Sequence, residues 1–194
     1  MISIRHCITA ATALVLMFSC TTQSLETTFT SQDTRIDSYI EKIVLDLVDV
    51  EGNPILDENG NKITLKPEVV TRNGCHRVII NDGKGDGLST EGSATIYYAG
   101  YVFTTGPSTM FATNHRETAL NAKWSEDMDF EPLRVSPGDK NLVTGLRNAL
   151  PGAKAGEECW IYFSGKYGFG KKAVGIIPAN SAICYHIWVE SIEN

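Results

Sequence analysis

The sequence predicts a mixed chain in which short strands outnumber helices. Apolar runs of strand length recur at Val78–Ile80, Ala94–Phe103, Cys159–Phe163 and Ala182–Ile192. A helix-like segment, Leu146–Ala153, interrupts them once near the C-terminus. Asn59-Gly60 sits between the apolar runs Pro54-Ile55-Leu56 and Ile63-Thr64-Leu65. That is a hairpin signal, because both residues tolerate positive φ. Nothing repeats at a fixed period, which excludes solenoids and propellers.

At the N-terminus, Arg5 and His6 precede the apolar run Ile8–Phe18, which is too short to cross a membrane. The run ends in Ser19-Cys20 and a Thr/Ser/Gln-rich tract follows. This resembles a bacterial lipoprotein signal, in which the cysteine becomes the lipidated first residue. An ordinary signal peptide cut nearby is the alternative. Either reading removes 1–19 from the fold and sends the chain beyond the cytoplasmic membrane. With Cys20 acylated, the expected location is the cell envelope, on the outer membrane.

The tract from Cys20 to Gln32 reads as a flexible tether with little to bury. Ile36, Tyr39, Ile40, Ile43, Val44 and Leu47 then recur at helical spacing, with Asp33 or Thr34 as N-cap. Such a helix would dock on the domain or on a second subunit. The Asn-Gly hairpin completes an extension over 33–74. Asn81-Asp82-Gly83-Lys84-Gly85-Asp86-Gly87 is a turn-rich loop between strands. Asn114–Phe130 reads as an inserted loop with a short helix at Glu117–Lys123.

Composition and motif spacing exclude several function classes. The formal charge is −6, and losing Arg5 with the signal makes the remainder more acidic still. A nucleic-acid binder needs a basic surface to displace counterions, so that class is excluded. Asp57, Asn59, Asn61 and Glu68 match positions of a calcium loop. However, Lys62 stands where the sharp turn requires glycine, and a hairpin turn explains the same residues. His76, His115 and His186 stand singly, with no paired ligand spacing, so no metal is expected. No Gly-x-Ser-x-Gly is present. Of five cysteines, Cys75, Cys159 and Cys184 would remain in the processed chain, enough for one internal disulfide at most. Cys159 and Cys184 fall on strands and read as small buried residues. No Cys-x-x-Cys exists, and no cofactor is expected.

Apolar and aromatic residues gather at the C-terminal bends, where a chain ordinarily places polar ones. The sequence runs Leu142-Val143-Thr144-Gly145-Leu146, then Gly165-Lys166-Tyr167-Gly168-Phe169-Gly170, then Ile176-Ile177-Pro178. Bends lined in this way mark a pocket wall. Together with Ile96-Tyr97-Tyr98-Ala99-Gly100 and Met110-Phe111-Ala112-Thr113-Asn114, the ordered motifs resemble the FKBP family of peptidyl-prolyl cis-trans isomerases. The resemblance covers roughly Val78 to Ile192. It implies an α+β fold in which an antiparallel sheet wraps around a short helix. The FKBP-like domain would occupy 75–194, after the N-terminal helix and hairpin extension.

Carried over by position, the resemblance implies a proline pocket lined by Tyr98, Phe111, Leu142, Val143, Ile177 and Tyr185. The backbone amide of Val143 would donate to the bound ligand. Leu133 stands where an aromatic wall residue is usual. Three positions depart from the pattern: Leu146 replaces the indole of the pocket floor, Ala112 an aspartate, and Phe169 a tyrosine that donates to the substrate carbonyl. Prolyl isomerisation needs no acid, base or covalent step. Its barrier of about 18–20 kcal/mol arises from amide resonance, and a dry, shaped pocket favours the twisted amide. Each lost hydrogen bond is worth about 0.5–1.5 kcal/mol if neutral and about 1.5–3 if charged. Together the departures predict a rate lowered by roughly one to three orders of magnitude. The expected partners are proline-containing polypeptides, and the membrane through Cys20. The competing expectation is a module that binds through the same groove without catalysis.

Overall fold

The computed structural model describes residues 24–194. The expected signal segment 1–19, the acylation candidate Cys20 and residues 21–23 lie outside the described residues. Helix α1 covers 24–40. A small two-stranded sheet follows, β1 (Leu45–Asp46) with β2 (Thr64–Leu65). The main antiparallel sheet has seven strands. These are β3 (Val69–Arg72), β4 (Cys75–Asn81), β5 (Ser93–Phe103), β6 (Pro107–Thr113), β7 (Leu133–Val135), β8 (Glu158–Phe163) and β9 (Ile183–Glu193). Their spatial order is β3-β4-β8-β9-β5-β6, with β7 pairing β5. Helix α2 (Arg116–Asn121) lies in the expected insert and α3 (Thr144–Ala149) on one face of the sheet.

Alternation along the strands gives the sheet two apolar faces. The concave face carries Ile96, Ile161, Phe163, Ile183 and Ile187 against Leu146, Ala149 and Leu150 of α3 and its C-cap. The convex face carries Val78, Phe103, Tyr162 and Cys184, which pack against Ile36, Tyr39 and Ile40 of α1. Tyr39 meets Phe103 edge to face at 5.4 Å between centroids. The helix with the Ile36 periodicity therefore docks on the domain itself.

The helix bounds differ from expectation, most of all in α1 and α3. Residues 24–32, read as tether, belong to α1. The hydroxyls of Thr28, Thr30 and Thr34 donate back to the carbonyls of Ser24, Glu26 and Thr30, which a helix permits. Gln32 adds an anchor, its amide bonding Asn180 O and Gly165 N, each at 2.8 Å. The helix also ends before Val44 and Leu47, which lie exposed around β1. Helix α3 starts at Thr144 and stops at Ala149, short of the expected Ala153. Pro151 cannot donate to the helix, and Gly152 turns away with φ +88°.

Contrary to the expectation of no fixed-period repeat, the hairpin extension holds a short one. Asp49 Oδ1 accepts from the amides of Glu51 and Asn53, and Asp57 Oδ1 accepts from those of Asn59 and Asn61. These are two copies of one Asx-type turn. Asp57, Asn59 and Asn61, three of the residues that matched a calcium template, thus close a turn, and Glu68 lies apart from it just before β3. Cys75, Cys159 and Cys184 are free, buried thiols. Arg77 and Glu157 form a buried ion pair that ties β4 to the turn before β8.

Candidate functional site

A cleft of about 560 Å³ opens on the concave face beside α3. Strand β5 supplies Ile96 and Tyr98, β6 supplies Phe111 and Ala112, and β7 supplies Leu133 and Val135. Asn141, Leu142 and Val143 come from the approach to α3, Leu146 from its first turn, and Tyr185 from β9. The loop after β8 contributes Phe169, Val174, Gly175, Ile176 and Ile177. All nine residues expected at a pocket (Tyr98, Phe111, Leu133, Leu142, Val143, Leu146, Phe169, Ile177 and Tyr185) line this one cleft.

Leu146, Ile177 and Tyr185 are buried and make the floor, whereas Leu133, Phe169, Val174 and Ile176 stand exposed at the rim. The aromatic wall is interlocked. Phe111 meets Tyr185 at 5.8 Å and Phe169 at 5.9 Å, both edge to face. Tyr185 also lies 6.1 Å from Tyr98 and 6.1 Å from Phe163. Such contacts contribute about 0.5–1.5 kcal/mol each beyond area burial.

Two glycines permit this packing by close approach. A Cβ on Gly100 would fall 2.6 Å from Phe111 Cζ and 2.8 Å from Tyr185 Cε1. One on Gly145, in α3, would fall 2.2 Å from Phe163 Cδ1. Asn114, buried at the end of β6, accepts from Tyr98 N at 2.7 Å and donates to Ile96 O and Glu131 O. It fixes the β5 backbone beside the cleft and holds the end of the insert there.

Among the described residues no lysine, arginine, histidine or carboxylate lines the cleft. Its polar side chains are Tyr98, Tyr185 and Asn141. Burial pushes both phenols above their ordinary range, so both stay protonated at neutral pH. The amide of Val143, the N-cap of α3, makes no hydrogen bond to any described residue. The cleft can therefore take an apolar segment and offer it a few neutral donors. Among the described residues no cluster of metal-ligating side chains occurs.

The sequence reading missed Ile96, Val135, Asn141 and the rim turn closed by the Val174–Ile177 bridge. Ile96 was readable from its two-residue spacing to Tyr98. Asn141 had no signal, because its place depends on how the chain enters α3.

Residues 91–190, just over half of the chain, match the family model for FKBP-type peptidyl-prolyl cis-trans isomerases. The chain belongs to this family. FK506-binding protein 1 of Aspergillus oryzae is 25% identical over 114 residues, 59% of this chain and 94% of that protein. Among solved structures, a peptidyl-prolyl cis-trans isomerase of Pseudomonas syringae pv. tomato has a TM-score of 0.50 at 16% identity. That match covers 66% of this chain and 84% of the other. FkpA of Escherichia coli matches with a TM-score of 0.50 at 15% identity, over 99% of this chain and 74% of the other. At these identities the structures bear on the fold. The FKBP fold is thus present, and alanine, leucine and phenylalanine stand at 112, 146 and 169 of its cleft.

Proposed function

We propose that this FKBP-family chain isomerises Xaa–Pro bonds of envelope polypeptides in the concave cleft, at a reduced rate. The observation that carries the proposal is the cleft itself. It is deep, uncharged and walled by interlocked aromatics, with the unpaired amide of Val143 at its edge. A proline ring entering it leaves water, and the apolar surroundings disfavour the more polar planar amide relative to the twisted one. The Val143 N–H orients the bound backbone. Ala112, Leu146 and Phe169 remove groups that would add to this, hence the reduced rate.

The experiment is an isomerisation assay with full-length protein in detergent on a blocked Leu-Pro-Phe peptide, at several enzyme concentrations. A rate proportional to enzyme supports the reading, and Val143→Pro, which removes the amide, should lower it. The three departures favour one other reading, a groove that holds proline segments without turnover. Saturable peptide binding with no rate enhancement would establish that alternative.

The location belongs to the same proposal. The Ser19-Cys20 junction supports acylation of Cys20 and attachment to the outer membrane, with residues 33–74 an extension preceding the domain. Cys20→Ala should shift the protein from the membrane to the soluble fraction. A mutant that still pellets with membranes, with no lipid found by mass spectrometry on the wild type, would refute the anchor.

A further inference from the structure

Three polar side chains reach the cleft, and they differ in what surrounds them. Asn141 is exposed at the rim, so a ligand bond there merely replaces one to water. Tyr98 is half-buried. Tyr185 is 5% exposed, and its hydroxyl makes no hydrogen bond to any described residue while its oxygen keeps access to the cleft. A buried tyrosine hydroxyl ordinarily finds a partner.

Nor can this ring move to find one. Phe163 stacks on it at 6.1 Å, Phe111 meets it at 5.8 Å, and the backbone at Gly100 leaves no room for a side chain beside it. The donor is therefore fixed in place and waiting for an acceptor. Ala112 and Phe169, both lining the same cleft, supply neither a donor nor an acceptor from their side chains.

We propose that the Tyr185 hydroxyl donates a hydrogen bond to a backbone carbonyl of the bound proline segment, in place of the donor missing at Phe169. The proposal rests on the cleft being the prolyl site. It makes Tyr185 a catalytic residue through its hydroxyl as well as a wall through its ring. Burial keeps the phenol protonated, so it is a donor across the working pH range. A donor fixed at the cleft needs no reorganisation when the carbonyl arrives. It also makes the site reject apolar ligands that lack a carbonyl.

The test compares full-length wild type, Tyr185→Phe, and Tyr185→Phe combined with Phe169→Tyr. Tyr185→Phe keeps the ring and its packing, so the thermal midpoint should barely move. Its kcat/KM on the blocked Leu-Pro-Phe peptide should fall about three- to tenfold, the loss of one neutral hydrogen bond. The double variant should recover most of that loss, since a hydroxyl returns from the opposite wall. Peptide affinity, measured in parallel by fluorescence, should weaken by a similar factor if the bond forms in the ground state. Unaltered kcat/KM and unaltered affinity in Tyr185→Phe, beside an active wild type, would overturn the proposal while leaving the isomerase reading intact. If no protein turns over, the isomerase reading fails. The affinity comparison then decides for or against the hydroxyl by itself.

Discussion

Gly100 is the position where a single methyl group should separate the cleft from the stability of the domain. In Gly100→Ala the new Cβ would meet Phe111 Cζ at 2.6 Å and Tyr185 Cε1 at 2.8 Å. Ordinary contact between carbons needs about 3.5–4.0 Å, so the rings must retreat by roughly 1 Å. Phe111 is only partly buried and its ring end can swing toward the mouth of the cleft. Tyr185 is buried, held by Phe163 behind it, and cannot follow. Most of the displacement therefore falls on Phe111, which breaks its edge-to-face contacts with Tyr185 and Phe169. Overpacking of this kind costs about 1–3 kcal/mol, and the partial freedom of Phe111 places the expected loss near the lower end. The functional effect should be larger, because a misplacement of about 1 Å in a binding wall can lower a rate by about a hundredfold. The assay pairs urea denaturation with isomerisation kinetics on one peptide, at a temperature where both proteins are folded. Gly100→Ala with unaltered stability and a rate within twofold of wild type would refute the reasoning. Phe111→Leu in the Gly100→Ala background should recover stability but not rate.

Other outcomes follow from the same geometry. Phe169→Tyr should raise kcat/KM about three- to tenfold if its hydroxyl reaches the substrate carbonyl, measured beside wild type on one peptide. Gln32→Ala removes a side chain that satisfies Gly165 N and accompanies Asn180 O. Leaving a buried donor unpaired costs about 1–3 kcal/mol, readable as a lower urea midpoint and as faster amide exchange at 165–180. The isomerisation rate should stay flat from about pH 6 to 9, since no group lining the cleft titrates there and both phenols are shifted upward. Stability should not stay flat. Burial, and secondarily the nearby His115, lower the His186 pKa from 6.5 despite its bond to Glu158. The unfolded chain then binds the proton more readily. The His186 contribution is therefore present above about pH 6.5 and is lost as pH falls below it. Urea midpoints at pH 7.5 and 5.5 should show the drop, and His186→Gln should reduce it.

Much of the cleft could be read from the sequence because it is built where chemistry and position coincide. Tyr98, Phe111 and Ile177 are implied by the resemblance of their motifs to the FKBP family, and strand alternation and the elbow before Pro178 are what carry them to one cleft. Leu142, Val143 and Leu146 lie together because one helix starts among them. The tether expectation failed at 24–32 for a tertiary reason. Ser and Thr favour coil only while their hydroxyls compete for the backbone, and here they bond back along a helix that the sheet already holds. The Arg77–Glu157 pair gave no local signal either, since its partners lie far apart in sequence and meet through the pairing of β4 with β8.

The N-terminal part of α1, residues 24–32, read from the sequence as tether, also changes how the cleft should be understood. Tyr162 and Phe163 are neighbours on β8 and face opposite sides of the sheet, so α1 and the aromatic wall pack against adjacent residues of one strand. Gln32 extends that link, because Gly165 and Asn180, which it bridges, bracket the loop carrying Phe169, Val174, Ile176 and Ile177. The two backbones it joins are already so close that a Cβ on Gly165 would sit 2.1 Å from Asn180 O. A loop pinned at both ends can keep exposed apolar residues at a rim without collapsing onto the floor, which keeps the cleft open to a peptide. The segment before the family-matched region thus acts on the site from behind. Truncating α1 should weaken peptide binding through the loop as well as lower stability. Comparing that truncation with Gln32→Ala separates the two effects, because the point change leaves the Ile36 and Tyr39 contacts in place.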